Sequence, residues 1–173
     1  VTAFARENKI SLTTIHPAAV YGGLNTGRGI TDYIENVINK AFWKLPFIVK
    51  SQFPVVHVDS LSHAVVLSLE LPQGAYIVSD QMTSLRDIAL AVNKYVRSYV
   101  PIIMPVWVAK IGIQALETIS RLTGIKPIMS KVQLQFITKG LVPESNKLQS
   151  TSSWMPLSLD EGLKKYIDSR PVQ

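Results

Sequence analysis

The stretch HPAAVYGGLNTGRG, His16 to Gly29, decides how the chain is read. Four residues separate Gly22 from Gly27, the glycine spacing of a phosphate-cradling loop. An apolar run precedes it and a segment of helical periodicity follows, as such a loop requires. A Walker-type loop, however, continues its last glycine with a lysine for the outer phosphates and a serine or threonine for magnesium. Here Gly27 is followed by Arg28 and Gly29, so the metal-binding hydroxyl is missing. The dinucleotide fingerprint G-x-G-x-x-G is absent here and throughout the chain. The glycines read better as a connection from a strand into a helix than as a phosphate site.

Outward from this stretch, strands and helices alternate. Ile10 to Ile15, ISLTTI, is short, apolar and β-branched and reads as a buried strand. After the glycines, Tyr33, Ile34, Val37, Ile38, Ala41 and Phe42 fall on one helical face, with Thr31 or Asp32 placed to cap it. A second strand, Phe53 to Val58, runs into Asp59 as the expected N-cap of a helix bearing Leu61, Ala64, Val65 and Leu69. GAYIVSD gives a third strand. SLRD at 84–87 is a capping box for a helix with Leu85, Ile88, Ala89, Val92 and Val96 inward, and SLDE at 158–161 is a second. This alternation predicts α/β architecture with parallel strands. Pro105 can open an apolar helix that Gly124 ends. ESNKLQSTSS is polar and too short for a linker between domains.

Composition narrows the classes. The 173 residues suit one domain, and 47% hydrophobic with 17% charged content suits a packed one. Cysteine is absent, which removes disulfides, thiolate metal sites and a cysteine nucleophile. The three histidines lack metal-ligand spacing, so no metal is expected. The net charge of +6 resides in Ile88 to Pro143, with seven basic residues against Glu117; elsewhere eleven of each sign balance. That segment reads either as a solvated face or as a surface for an anionic ligand or membrane. Nucleic acid is not expected, because no basic cluster is interleaved with aromatics. The longest charge-free stretch around the apolar helix, Ser98 to Ala109, is far short of the ~20 residues that span a bilayer. A cytoplasmic protein, with membrane association as an open option, is expected.

Four blocks carry a family resemblance. LTTIHPAAVYG (12–22) resembles the segment LtilRPaavYG of the extended short-chain dehydrogenase/reductases, the NAD-dependent epimerase/dehydratase proteins. FPVVHVDSLSHAVVLSLE (53–70), GAYIVSDQMTSLRDIALAV (74–92) and ESNKLQSTSSWMPLSLDEGLKKYIDS (144–169) resemble later blocks of that family, in the family's order. The middle, 104–136, is similar to the 3β-hydroxysteroid (sterol) dehydrogenase branch. The resemblance implies that residues 1–173 are one C-terminal portion: the last strands of a Rossmann-type parallel sheet interleaved with a mostly helical substrate-binding lobe. The N-terminal coenzyme-binding part would precede Val1, and VTAFARENK fits the tail of the helix before it.

The implied activity of the whole enzyme is hydride transfer between NAD or NADP and an alcohol or ketone, sterol-like or otherwise hydrophobic. Two alternatives stand beside it: a nucleotide-sugar epimerase or dehydratase, and a non-catalytic NAD(P)-binding regulatory protein of the same fold. The family's catalytic tyrosine has a lysine four residues on that favours the phenolate. No tyrosine here has that partner, so no catalytic residue is expected in this chain. By resemblance Pro17, Ala18, Ala19 and Val20 face the cofactor, while Tyr21, Asn25 and Arg28 border the substrate. The expected partners are a small-molecule substrate, the N-terminal half and, as an option, a second copy. The chain also departs from the family. His16 replaces an arginine and reads as either a buried histidine or a substrate contact; Ser60 replaces an aspartate; STSSWMP keeps only Trp154 and Pro156 of its motif. His57 and His63 read as structural. Alone, the chain is expected to be inactive and prone to associate through an exposed sheet edge.

Overall fold

The computed structural model describes residues 2–23, 29–44, 46–123 and 145–170. Asn25, Arg28, Gly27 and Gly124 lie outside the described residues. The chain opens with helix α1, Thr2–Glu7, and strand β1, Thr13–Pro17. The strand thus begins three residues later than its apolar run and continues through His16 and Pro17, leaving Ile10 exposed. Register explains the shift: Thr13 to Pro17 pair in parallel with Gly74 to Val78 of β5, Gly74–Val78. The parallel arrangement expected from the alternation is present.

Clustering of contacts divides the chain into two compact units. Unit one comprises Val1–Asp32, Pro54–Met82 and Pro143–Gln173; unit two comprises Tyr33–Phe53 and Thr83–Val142. The core of unit one gathers Val56, Ala64, Tyr76, Val78, Leu148 and Trp154. It is built on β5 and on a second ladder in which β4, Phe53–His57, is central between β2, Ala19–Tyr21, and β6, Gln81–Thr83. Every residue of β4 is buried, as a strand with neighbours on both sides requires. Helix α3, Val58–Leu67, follows it directly. Its buried residues are Ser60 and Ala64, whereas Val65, Val66 and Leu69 are exposed. Near the C-terminus, α6 (Asn146–Thr151) plugs Leu148 into this core and sets the Lys147 ammonium 4.4 Å from the centre of the Tyr76 ring. The polar stretch around it is therefore a helix. Helix α7, Leu159–Asp168, begins at Ser158 with a complete capping box.

Helix α2 (Gly29–Ile38) buries Tyr33, Ile34, Val37 and Ile38, all within unit two, as its periodicity predicted. It begins two residues before Thr31, so Thr31 and Asp32 lie within the first turn rather than capping it, and Phe42 sits in a separate exposed 3₁₀ turn. Helix α4, Leu85–Asn93, is capped by Ser84, whose Oγ accepts the Asp87 N–H at 3.1 Å. It buries Ile88, Ala89, Ala91 and Val92. Two three-residue strands, β3 (Phe47–Val49) and β7 (Ile102–Met104), pair in parallel. The stretch between prolines is thus a strand. Helix α5, Val106–Thr123, starts after Pro105 as expected and packs Ile113 against Val49.

Candidate functional site

The residues expected to face a cofactor lie where the backbone changes ladders. Pro17 ends β1 opposite Val78, and the Ala18 N–H donates to the Val78 carbonyl at 2.9 Å. From Ala19 the chain pairs instead with β4: Ala19 with Val55, Val20 with Val56 and Tyr21 with His57. Residues 17–20 are therefore held by hydrogen-bonded ladders on either side, just past the carboxyl end of a parallel strand, the position at which open α/β sheets bind ligands. Pro17 is exposed, Ala18 and Ala19 are half-buried, and Val20 is 38% exposed. Two alanines in succession give this step a shallow, apolar surface.

Tyr21 behaves differently. Expected to border the substrate, it is 1% exposed and turned inward. Its ring meets that of His57 edge-on, 5.2 Å between centroids. Two glycines make room for the pair. Gly22 has φ +91°, in the left-handed region, and a Cβ there would overlap His57 Nε2. A Cβ on Gly162 of α7 would overlap the Tyr21 hydroxyl. The glycine after Tyr21 thus serves close approach to a histidine, which answers for at least one glycine of the loop. Burial, seconded by the nearby Asp80 carboxylate, pushes the Tyr21 phenol far above its ordinary value, so it keeps its proton at neutral pH.

His57, not Asp59, is the N-cap of α3. Its Nδ1 accepts the Asp59 N–H at 3.2 Å, which places the imidazole proton on Nε2. Burial pulls its pKa below the ordinary value; Lys165 adds to this, and Asp59 and Asp80 oppose it. Asp59 is exposed and meets Lys165 of α7 at 3.3 Å. His16, open between a buried and a contact role in the sequence, is exposed. It lines a cavity of about 370 Å³ with Arg6, Thr14 and Gln73. His63 is exposed on α3. Among the described residues no three His, Asp or Glu gather as a metal site would.

Sequence reasoning missed Asp80. Its buried carboxylate accepts the His57 N–H at 2.7 Å, the Ser60 hydroxyl at 2.5 Å and the Leu157 N–H at 3.0 Å. Its own N–H donates to the Val55 carbonyl at 2.8 Å. One side chain thereby joins the end of β5, the start of α3 and the segment leading into α7. Ser60 supplies the hydroxyl that this carboxylate accepts, and its carbonyl accepts the Trp154 Nε1–H at 2.9 Å. With three donors on it, Asp80 braces the site rather than reacting in it. Its only sequence signal was an acid placed directly after a strand.

No family model matches the sequence, and no curated protein matches it. Solved structures do match. A nucleoside-diphosphate-sugar epimerase from Pseudomonas aeruginosa is 19% identical over 96% of this chain and 51% of its own, with a TM-score of 0.70. UDP-glucose 4-epimerase from Thermotoga maritima, solved with UDP-glucose, is 18% identical over 96% and 48%, TM-score 0.67. UDP-glucose 4-epimerase from Thermus thermophilus, solved with NAD, is 12% identical over 98% and 50%, TM-score 0.63. The chain spans about half the length of these structures. At such identities the likeness is one of fold alone: a mixed α/β, Rossmann-like arrangement with parallel strands.

Proposed function

We propose that this chain is the substrate-side, C-terminal half of an NAD(P)-dependent enzyme of the epimerase/dehydratase type acting on a nucleotide sugar. The observation that carries the reading is the 17–20 step, open and apolar at the carboxyl end of a parallel strand, in a chain whose fold matches half of such enzymes. That step suits a flat ring: Ala18 and Ala19 offer little bulk, and two ladders keep the backbone from yielding. Pro17, Ala18, Ala19 and Val20 would hold the nicotinamide end of NAD or NADP, which supplies a hydride acceptor and donor when bound. Tyr21, protonated and buried, has no part in proton transfer; it positions the step from behind through His57. The acid/base pair belongs to the preceding half.

Within unit two, Lys50 and Arg86 line a cavity of about 230 Å³ with Ile48 and Ile103. Two cations there suit the diphosphate of a nucleotide sugar, while Asp87 is engaged by the Ser84 hydroxyl at 2.6 Å. This favours the nucleotide-sugar alternative over the sterol-like alcohol or ketone first expected. Arg28 and Asn25 remain the proposed substrate contacts of the glycine loop.

The test is direct. The native polypeptide is titrated with NAD and NADP, then incubated with a panel of UDP-, GDP- and dTDP-sugars under NMR. Binding of the dinucleotide and conversion of one sugar support the reading. Dinucleotide binding without conversion of any of these sugars overturns the nucleotide-sugar reading in favour of the regulatory alternative, and no dinucleotide binding overturns the proposal.

A further inference from the structure

Unit two differs from the rest of the chain in charge and in surface. Its segments, Tyr33–Phe53 and Thr83–Val142, hold eleven basic and three acidic residues, a net +8, while the remainder nets −2. Two of the three tryptophans stand in the open within it: Trp43 is 78% and Trp107 65% exposed, against 2% for Trp154. Tryptophan is seldom so exposed in a soluble domain and is enriched where protein meets the headgroup region of a bilayer. On α5, Val106, Ala109 and Ile113 pack inward around Val49 and Met104. Trp107 and Ile111, one turn apart, stand exposed away from that stripe, with exposed Lys110 beside them. The register partners Phe47 and Ile102 are exposed as well.

We infer that unit two docks on an anionic lipid bilayer, with α5 lying in the plane of the interface. Trp107 and Ile111 enter the boundary between headgroups and acyl chains, and Lys110 meets the headgroups. Among the described residues no helix is long and apolar enough to cross, so the contact is in-plane. Charge selects this occupant over a second copy: two units of net +8 repel, whereas an anionic bilayer attracts both. The inference is independent of the enzymatic reading. Lys50 and Arg86 are the cations that reading uses, and neither belongs to the α5 face.

The test is flotation of the native polypeptide with vesicles of pure phosphatidylcholine and with vesicles carrying about 30% phosphatidylserine. Binding is expected to the anionic vesicles only, falling at least ~10-fold between about 0.05 M and about 0.5 M salt. A blue shift of tryptophan emission should accompany it. The double variant Trp107→Gln/Ile111→Gln and the single variant Lys110→Glu alter exposed residues only. Each should lose at least ~10-fold in partitioning with an unchanged circular dichroism spectrum, whereas Lys50→Ala/Arg86→Ala should retain most binding. No binding at low salt overturns the inference. So does undiminished binding by the α5 variants, and so does a change of oligomeric state in them in place of lost lipid affinity.

Discussion

His57 caps α3 with Nδ1 while buried, so it must stay neutral to serve. Its pKa is lowered in the fold, and the unfolded chain therefore binds the proton more tightly. Stability is unaffected well above pH 6.5 and is expected to fall as pH drops through 6.5 toward the lower folded value. His57→Asn retains an acceptor for the Asp59 N–H and removes the titration. Urea midpoints at pH 7.5 and pH 5.5 should differ less in the variant than in the parent; equal differences would remove His57 from the account. At Gly162, alanine is expected to cost about 1–3 kcal/mol by forcing the Tyr21 hydroxyl aside. Tyr21→Phe should recover much of that loss in the double variant, a coupling that urea denaturation reads directly. Asp80→Ala should cost at least about 3 kcal/mol, because three donors lose one acceptor.

At the scale of elements, local signals were legible and distant ones were not. Ser84 and Ser158 cap α4 and α7 as read, with the reciprocal box complete at Ser158, because a cap is a contact between residues three apart. Ser84→Ala is accordingly expected to cost about 1 kcal/mol, measured by thermal or urea unfolding. By contrast, β3 is three residues whose ladder partner among the described residues lies at 102–104, and β2 and β6 are as short. No periodicity develops over three residues. The cap of α3 was misplaced by two positions because an aspartate is the commoner cap, while the structure uses an imidazole nitrogen. Of the apolar residues read on this helix, Ala64 is buried and Leu61 packs on the core, whereas Val65 and Leu69 face outward. Ser60, which donates its hydroxyl to Asp80 and accepts the Trp154 Nε1–H on its carbonyl, fixes the rotation that leaves Val65, Val66 and Leu69 outward. The role of Asp80 was not legible, since the acid that closes GAYIVSD looks like any residue at a strand end.

At the scale of the molecule, surface left open is the theme. β1 is hydrogen-bonded to β5 on one side only among the described residues. Phe4, Val65, Val66 and Leu69 are exposed within unit one. Such edges and faces invite association. Residues 1–173 expressed alone are expected to form concentration-dependent oligomers on sedimentation and to show no turnover with NAD(P). The measurement that bears most directly on the half-enzyme proposal is a calorimetric titration of NAD into two samples, the native polypeptide and residues 1–173 alone. Saturable binding to the native polypeptide, and none to the isolated residues, is the expected result. A monodisperse monomer of residues 1–173 that binds NAD unaided would contradict it.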